Sequence, residues 1–155
     1  MAQSSDIDGL IRVLDDELNL CDSFEFLLQE EAESLKRHGA DKLDALSREK
    51  DRLRSRFLEL EARRVQTLRS ISAQSGIGPE AVMSDIAGIF PEQGGSLLRV
   101  GSRLRERVAR LRELNGRNEA IVSGLLLNTR AAAGFIGLLT GGRTRGEGRL
   151  VSKRV

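Results

Sequence analysis

Hydrophobic residues in the first half of the chain recur in alternating steps of three and four. In residues 5–36 they fall at Ile7, Ile11, Leu14, Leu18, Cys21, Glu25, Leu28, Ala32 and Leu35, with one acidic residue among them. In residues 41–74 the same steps give Leu43, Leu46, Lys50, Leu53, Phe57, Leu60, Arg64, Thr67 and Ile71, where Lys50 and Arg64 interrupt the apolar pattern. This heptad spacing predicts two long amphipathic helices that pair through their apolar faces.

The link between these helices is short. The sequence Arg37-His38-Gly39 predicts the end of the first helix, with Gly39 in the left-handed conformation that often closes helices. Asp41 is then the predicted N-cap of the second helix. A link of this length requires the two helices to be antiparallel.

Residues 75–95 interrupt the heptads. Pro79 suits the first turn of a short helix over residues 79–90, and Pro91 with Gly94 and Gly95 predicts its end. Apolar residues of this helix are expected to cover one end of the helical hairpin; they are Val82, Met83, Ile86, Ile89 and Phe90.

A third long helix is predicted over residues 96–139. Its seam, the row of positions that recur in steps of three and four, consists of Leu97, Gly101, Leu104, Val108, Leu111, Asn115, Asn118, Val122, Leu125 and Thr129. The sequence therefore predicts an all-α fold: a long antiparallel helical hairpin, a short connecting helix and a third long helix, in a coiled-coil-like three-helix bundle. Residues 1–139 would form one domain, and the glycine-rich basic residues 140–155 a flexible tail.

Charge is sorted along the chain, although the formal net charge is only +2. Residues 1–35 contain ten acids and one base, whereas residues 96–155 contain thirteen bases and four acids. We favour an acidic first helix lying beside a basic last helix over a surface for nucleic acid or an acidic partner. The chain has no Trp or Tyr for base stacking, and Glu106 and Glu113 interrupt the basic stretch. We therefore expect no nucleic-acid partner.

The residue types that catalysis requires are scarce. His38 is the only histidine and Cys21 the only cysteine, so neither a zinc site nor a nucleophile–base pair is expected. Glycine-rich pieces lack the lysine and the preceding strand of a phosphate loop. We expect no enzyme activity, no cofactor and no metal.

A cytoplasmic location is expected for three reasons. A single cysteine suits a reducing compartment, and the acidic N-terminal sequence does not resemble a secretory signal. The apolar stretch Ala120–Leu139 is long enough to span a membrane, but Asn128 and Arg130 near its middle make stable insertion unfavourable.

The end of the third helix is apolar on nearly every side, more than the first two helices can cover. Such a surface usually binds a partner, and small residues would allow a partner helix to approach closely. The predicted partner-binding residues are Asn118, Val122, Leu125, Leu126, Thr129, Ala132, Ala133, Phe135, Ile136 and Leu139. Asn115 and Asn118 either form a polar layer inside the bundle or mark where the binding surface begins. Self-association through the same surface, as in a coiled-coil scaffold or a homodimer, is the alternative.

Three segments in this order resemble the FlgN-like flagellar secretion chaperones over nearly the full chain. They are the acidic leucine-rich first helix, RFLELEARRVQTLRSIS and LRELNGRNEAIVSGLLLNTRAAAGFIGLLTG. The resemblance implies a cytoplasmic chaperone that binds C-terminal helices of hook-associated (hook–filament junction) proteins and delivers them to the type III export apparatus. It places client binding in Val122–Leu139. The tail departs from the family, since no aromatic residue lies within Arg143–Gly148.

Overall fold

The fold consists of helices joined by short links. The computed structural model describes residues 4–37, 39–78 and 81–139; the side chains of residues 4, 40, 129 and 132–139 are not described. The helices are α1 (Ser4–Lys36), α2 (Ala40–Ser75), α3 (Met83–Ile89) and α4 (Pro91–Leu139), and the described residues contain no strand. The predicted all-α fold, with a long hairpin, a short connecting helix and a third long helix, is confirmed.

The link between α1 and α2 differs from the prediction. Gly39 has φ −82° and ψ 76°, so it is not left-handed, and it rather than Asp41 is the N-cap of α2. Asp41 lies in the first turn, where its negative charge favours the helix dipole. The positive-φ glycine of the described residues is Gly76, which closes α2 at φ 70°. His38 lies outside the described residues.

The boundary between α3 and α4 also differs. α4 begins at Pro91, five residues before the predicted start, because proline at the first helical position needs no hydrogen-bond donor and has a suitable φ. Gly94 is helical, and any Cβ there would clash with the carbonyl group of Ala87, so this glycine lets α4 approach α3. α3 begins at Met83 rather than at Pro79, which lies outside the described residues.

α1 and α2 form the predicted antiparallel hairpin. Ion pairs between their described residues join them, among them Lys42–Glu30 at 2.6 Å, Lys50–Glu31 at 3.1 Å and Arg64–Glu17 at 3.1 Å. The start of α2 pairs with the last part of α1, and Arg64, farther along α2, pairs with Glu17, nearer the start of α1, so the two helices are antiparallel.

The first part of α4 runs parallel to α1. Arg107 lies 3.5 Å from Asp22 and 3.1 Å from Glu25, and Arg110 lies 2.6 Å from Glu25. Farther along both helices, Asn118 donates a hydrogen bond to the carbonyl oxygen of Leu28. The expected pairing of an acidic first helix with a basic last helix is therefore confirmed.

Apolar residues of all four helices form the core. Its buried members are Ile7, Leu10, Leu14, Leu18, Cys21, Ile71, Ile86, Ala87, Leu97 and Leu104. α3 contributes Ile86 and Ala87, so it covers the end of the hairpin as predicted. The predicted apolar stripe of α3 is only partly buried, because Val82 and Ile89 are exposed.

Packing contacts divide the chain into two units, which meet between Asn118 and Glu119. The first contains the hairpin, α3 and residues 91–118 of α4, and the second begins at Glu119. The prediction of one domain over residues 1–139 remains a prediction, and the predicted flexible tail, residues 140–155, lies outside the described residues.

Candidate partner-binding surface

Large apolar side chains are exposed in the second unit, in residues 119–131 of α4. The exposed fractions are 41% for Val122, 56% for Leu126 and 66% for Leu127. Val122 and Leu126 are four residues apart and therefore share one face of the helix, and Leu127 lies beside them. We call these three residues the apolar surface. It offers a row of branched aliphatic groups, and residues 120–129 contain no charged side chain.

The predicted partner-binding residues fall into three groups. Val122 and Leu126 are exposed and belong to the apolar surface, whereas Leu125 is half-buried. The remaining predicted residues are in α4, but their side chains lie outside the described residues: Thr129, Ala132, Ala133, Phe135, Ile136 and Leu139. Leu127 is not among the predicted residues, although it follows Leu126 directly in the sequence. The near absence of polar residues around it was the available signal.

Asn118 belongs to the first unit rather than to the apolar surface. It is buried, and its Nδ2 donates hydrogen bonds to the Leu28 carbonyl oxygen at 2.9 Å and to Glu31 Oε2 at 2.8 Å. Lys50 Nζ donates to the same Glu31 carboxylate at 3.1 Å. These contacts form a polar layer across α1, α2 and α4, which supports the first of the two interpretations of Asn118.

A second buried polar contact was missed from the sequence. Glu17 is completely buried off the predicted seam, and the Nε of Arg64 lies 3.1 Å from its carboxylate. Burial raises the pKa of Glu17 above its usual value, and this effect outweighs the opposite effect of Arg64. An arginine at a seam position of α2 was the signal, because a partly buried guanidinium needs an acid on the facing helix.

Cys21 is also buried in the core. Burial raises the pKa of its thiol to about 11, and the negative charges of Glu17 and Asp22 add to the effect. The thiol is therefore protonated at neutral pH and is a poor nucleophile or metal ligand.

Two further findings concern sites of other kinds. No three His, Cys, Asp or Glu side chains come together to hold a metal ion within the described part of the chain. Across the same residues, no helix combines the length and the apolar character that crossing a membrane requires.

Concave surfaces are present among the described residues of the first unit. An open depression of about 440 Å³ follows one face of α2 and is lined by Leu58, Glu61, Ala62, Val65, Gln66 and Arg69. A smaller groove of about 140 Å³ lies between α3 and α4 and is lined by Val82, Met83, Ser84, Leu98, Gly101 and Arg105. The first has charges of both signs at its edge, whereas the charged residue that lines the second is Arg105.

Comparison with protein families gives one result that covers most of the chain. The family described as FlgN protein matches residues 1–139, and the chain belongs to this family. Comparisons with curated proteins and with solved structures give no match. The FlgN family is a chaperone family, so the general role of this chain is that of a flagellar export chaperone that binds flagellar proteins.

Proposed function

We propose that this FlgN-family chain is a cytoplasmic export chaperone whose clients are the hook–filament junction proteins. It binds their C-terminal helices through the apolar surface of Val122, Leu126 and Leu127 and the residues of α4 that follow. Bound clients are kept from premature assembly and are delivered to the type III export apparatus.

The exposure of the apolar surface is the observation that carries this proposal. Three large aliphatic side chains lie within six residues of one helix and remain exposed. Groups of this kind usually mark a binding site, and an apolar helix face fits the apolar face of another amphipathic helix. The function needs no reaction, since covering an aggregation-prone helix of the client is sufficient.

The expected affinity follows from the same side chains. Complete burial of one leucine contributes about 1.5–3 kcal/mol, and association costs several kcal/mol before any net binding appears. A few such side chains therefore give a complex that forms readily and can still release its client at the export apparatus. Reversible binding of this kind suits a chaperone.

Size-exclusion chromatography with light scattering tests the proposal. The full chain is mixed with the C-terminal segment of a hook–filament junction protein, and we expect a complex of defined mass. Leu126→Asp should weaken binding about ten- to a hundredfold, because the lost burial is worth about 1.5–3 kcal/mol. Leu58→Asp is the matched control: Leu58 is 58% exposed on α2, so the same change should leave binding intact.

Self-association is the competing function for the same surface. If the chain alone is a tight dimer that Leu126→Asp dissociates, and the client segment does not bind, a coiled-coil scaffold replaces the chaperone proposal. If client binding is lost equally in the Leu58→Asp control, the apolar surface is not the site.

A further inference from the structure

A second group of exposed apolar residues lies in the first unit, where α3 meets α4. Val82 is 57% exposed and Leu98 is 43% exposed, and both line the groove of about 140 Å³. This volume is close to that of the roughly 150 Å³ apolar cavity known to accept benzene. The groove can therefore hold one leucine, isoleucine or phenylalanine side chain.

Glycine shapes this groove. A Cβ at Gly101 would lie 2.9 Å from the sulfur of Met83, so the glycine provides the space in which the Met83 side chain lies. At the mouth of the groove, the backbone N–H of Val82 donates to the Asp85 carboxylate at 2.9 Å. This bond holds Val82 in place.

The outer face of α4 continues the groove as a basic strip. Leu98, Arg105 and Arg112 are seven residues apart, so they lie nearly in line along one side of the helix. Small residues, Ser102 and Ala109, lie between them and leave the strip accessible.

Several arginines of α4 are already engaged by carboxylates of the described chain, but those of this strip are not. Arg107 and Arg110 bind Glu25, and Arg117 pairs with Glu113. Within the described residues, Arg105 and Arg112 make no ion pair and are exposed. Two free guanidinium groups beside an apolar groove have the charge complementary to carboxylates.

We propose that the groove and the basic strip dock an acidic amphipathic helix of another protein, with one aliphatic side chain in the groove and carboxylates on Arg105 and Arg112. The three anchors span about 21 Å at 1.5 Å per residue, so the docked helix has about four turns. This site is separate from the apolar surface, and it goes beyond the proposed function because it lets the chain hold a second protein.

The lining favours a polypeptide over nucleic acid. Apart from Arg105, the groove is lined by aliphatic, thioether, hydroxyl and glycine residues, and no aromatic ring is available for a base to stack on. Phosphate contacts would need many cations, whereas the strip provides two.

Fluorescence anisotropy with the full chain tests the proposal. The probe is a designed 18-residue helical peptide that carries leucine at one position and glutamate seven and fourteen residues farther along. We expect saturable binding that falls at least tenfold with Leu98→Asp and with Arg105→Ala. Arg103→Ala is the matched control, since Arg103 is exposed on another side of α4. Leu127→Asp, which alters the apolar surface, should also leave this binding unchanged.

Three results would overturn the docking site. They are no binding of the peptide, equal binding of a peptide with glutamine in place of glutamate, and tighter binding of an 18-nucleotide single-stranded RNA. A charge exchange provides the positive control: the double variant Arg105→Glu, Arg112→Glu should bind a peptide with lysine in place of glutamate. Because Leu127→Asp affects only the apolar surface, failure here and failure of the chaperone proposal can be distinguished.

Discussion

Helix α4 contains two parts that use apolar residues in opposite ways. In residues 91–118, the large apolar residues at seam positions are buried or partly buried, and Leu97 is completely buried. In residues 119–131, Leu126 and Leu127 are more than half exposed. Apolar character alone therefore does not decide burial. A narrow seam can be covered by neighbouring helices, whereas a helix that is apolar on nearly every side has more surface than its neighbours cover.

Polar residues show the same contrast. In the first part of the molecule, the buried Glu17 and Asn118 are each paired with a group on another helix. Such contacts add little net stability but fix which residues face each other. Substitutions in the first unit should therefore change stability, whereas substitutions in the apolar surface should change binding.

Loss of the buried ion pair should have the largest effect on stability. Arg64→Ala leaves the buried carboxylate of Glu17 without its partner, and removing one partner of a buried pair costs about 3–5 kcal/mol. Arg52→Ala removes an exposed pair with Glu49 and should cost at most about 1 kcal/mol. Urea unfolding measures both. Equal losses would mean that the Glu17–Arg64 contact is not desolvated.

A matched pair of leucines compares the two parts of α4 directly. Leu97→Ala should lower the free energy of unfolding by about 2–5 kcal/mol, because it opens a cavity in the core. Leu127→Ala makes the same chemical change at an exposed position and should alter it by less than about 0.5 kcal/mol. A large loss in Leu127→Ala, measured by thermal unfolding, would show that the apolar surface is packed in the free chain.

Two asparagines ten residues apart make the same comparison for polar groups. Asn118→Ala removes one buried and one partly buried hydrogen bond and should cost about 1–3 kcal/mol. Asn128 is exposed, so Asn128→Ala should stay within about 0.5 kcal/mol of the original chain. If circular dichroism during unfolding shows the two variants to be alike, the polar layer does not stabilise the bundle.

The heptad seams were predictable because they depend on local spacing. All nine seam positions of α2 are at least half-buried, including the polar Lys50, Arg64 and Thr67. The links were less predictable, since Pro91 and Gly39 each suit more than one role. Pro91 can follow one helix or begin the next. Here it begins α4, and Gly94 of α4 then lies against Ala87 of α3, a contact between two helices that spacing along the chain does not reveal.

The site was predictable only in part. A long apolar stretch indicated a binding surface, and Val122 and Leu126 are exposed as a partner site requires. Spacing within one helix could not predict the burial of Glu17 or of Asn118, because each side chain is paired with a group on another helix. The groove at Val82 and Leu98 depends on how α3 packs on α4, and a pattern along the chain does not contain that information.

The pH dependence of stability that Glu17 causes should be the smallest effect. It tests whether burial or the attraction of Arg64 has the larger influence on the pKa of Glu17. Burial raises its pKa above 4.5, with Arg64 acting in the opposite direction and Glu61 adding to the rise. As the pH falls from 7 through the folded-state pKa, the folded chain binds a proton before the unfolded chain does. The stability of the original chain relative to Glu17→Gln should therefore rise, and the rise should end below about pH 4.5.

Glu33 provides the opposite case in the same helix. It is exposed, and its hydrogen bond from Lys36 lowers its pKa, so the folded chain binds that proton later than the unfolded chain does. The stability of the original chain relative to Glu33→Gln should then fall as the pH drops below 4.5. Urea unfolding at a series of pH values gives both differences. Two slopes of the same sign would mean that the attraction of Arg64, rather than burial, controls the charge of Glu17.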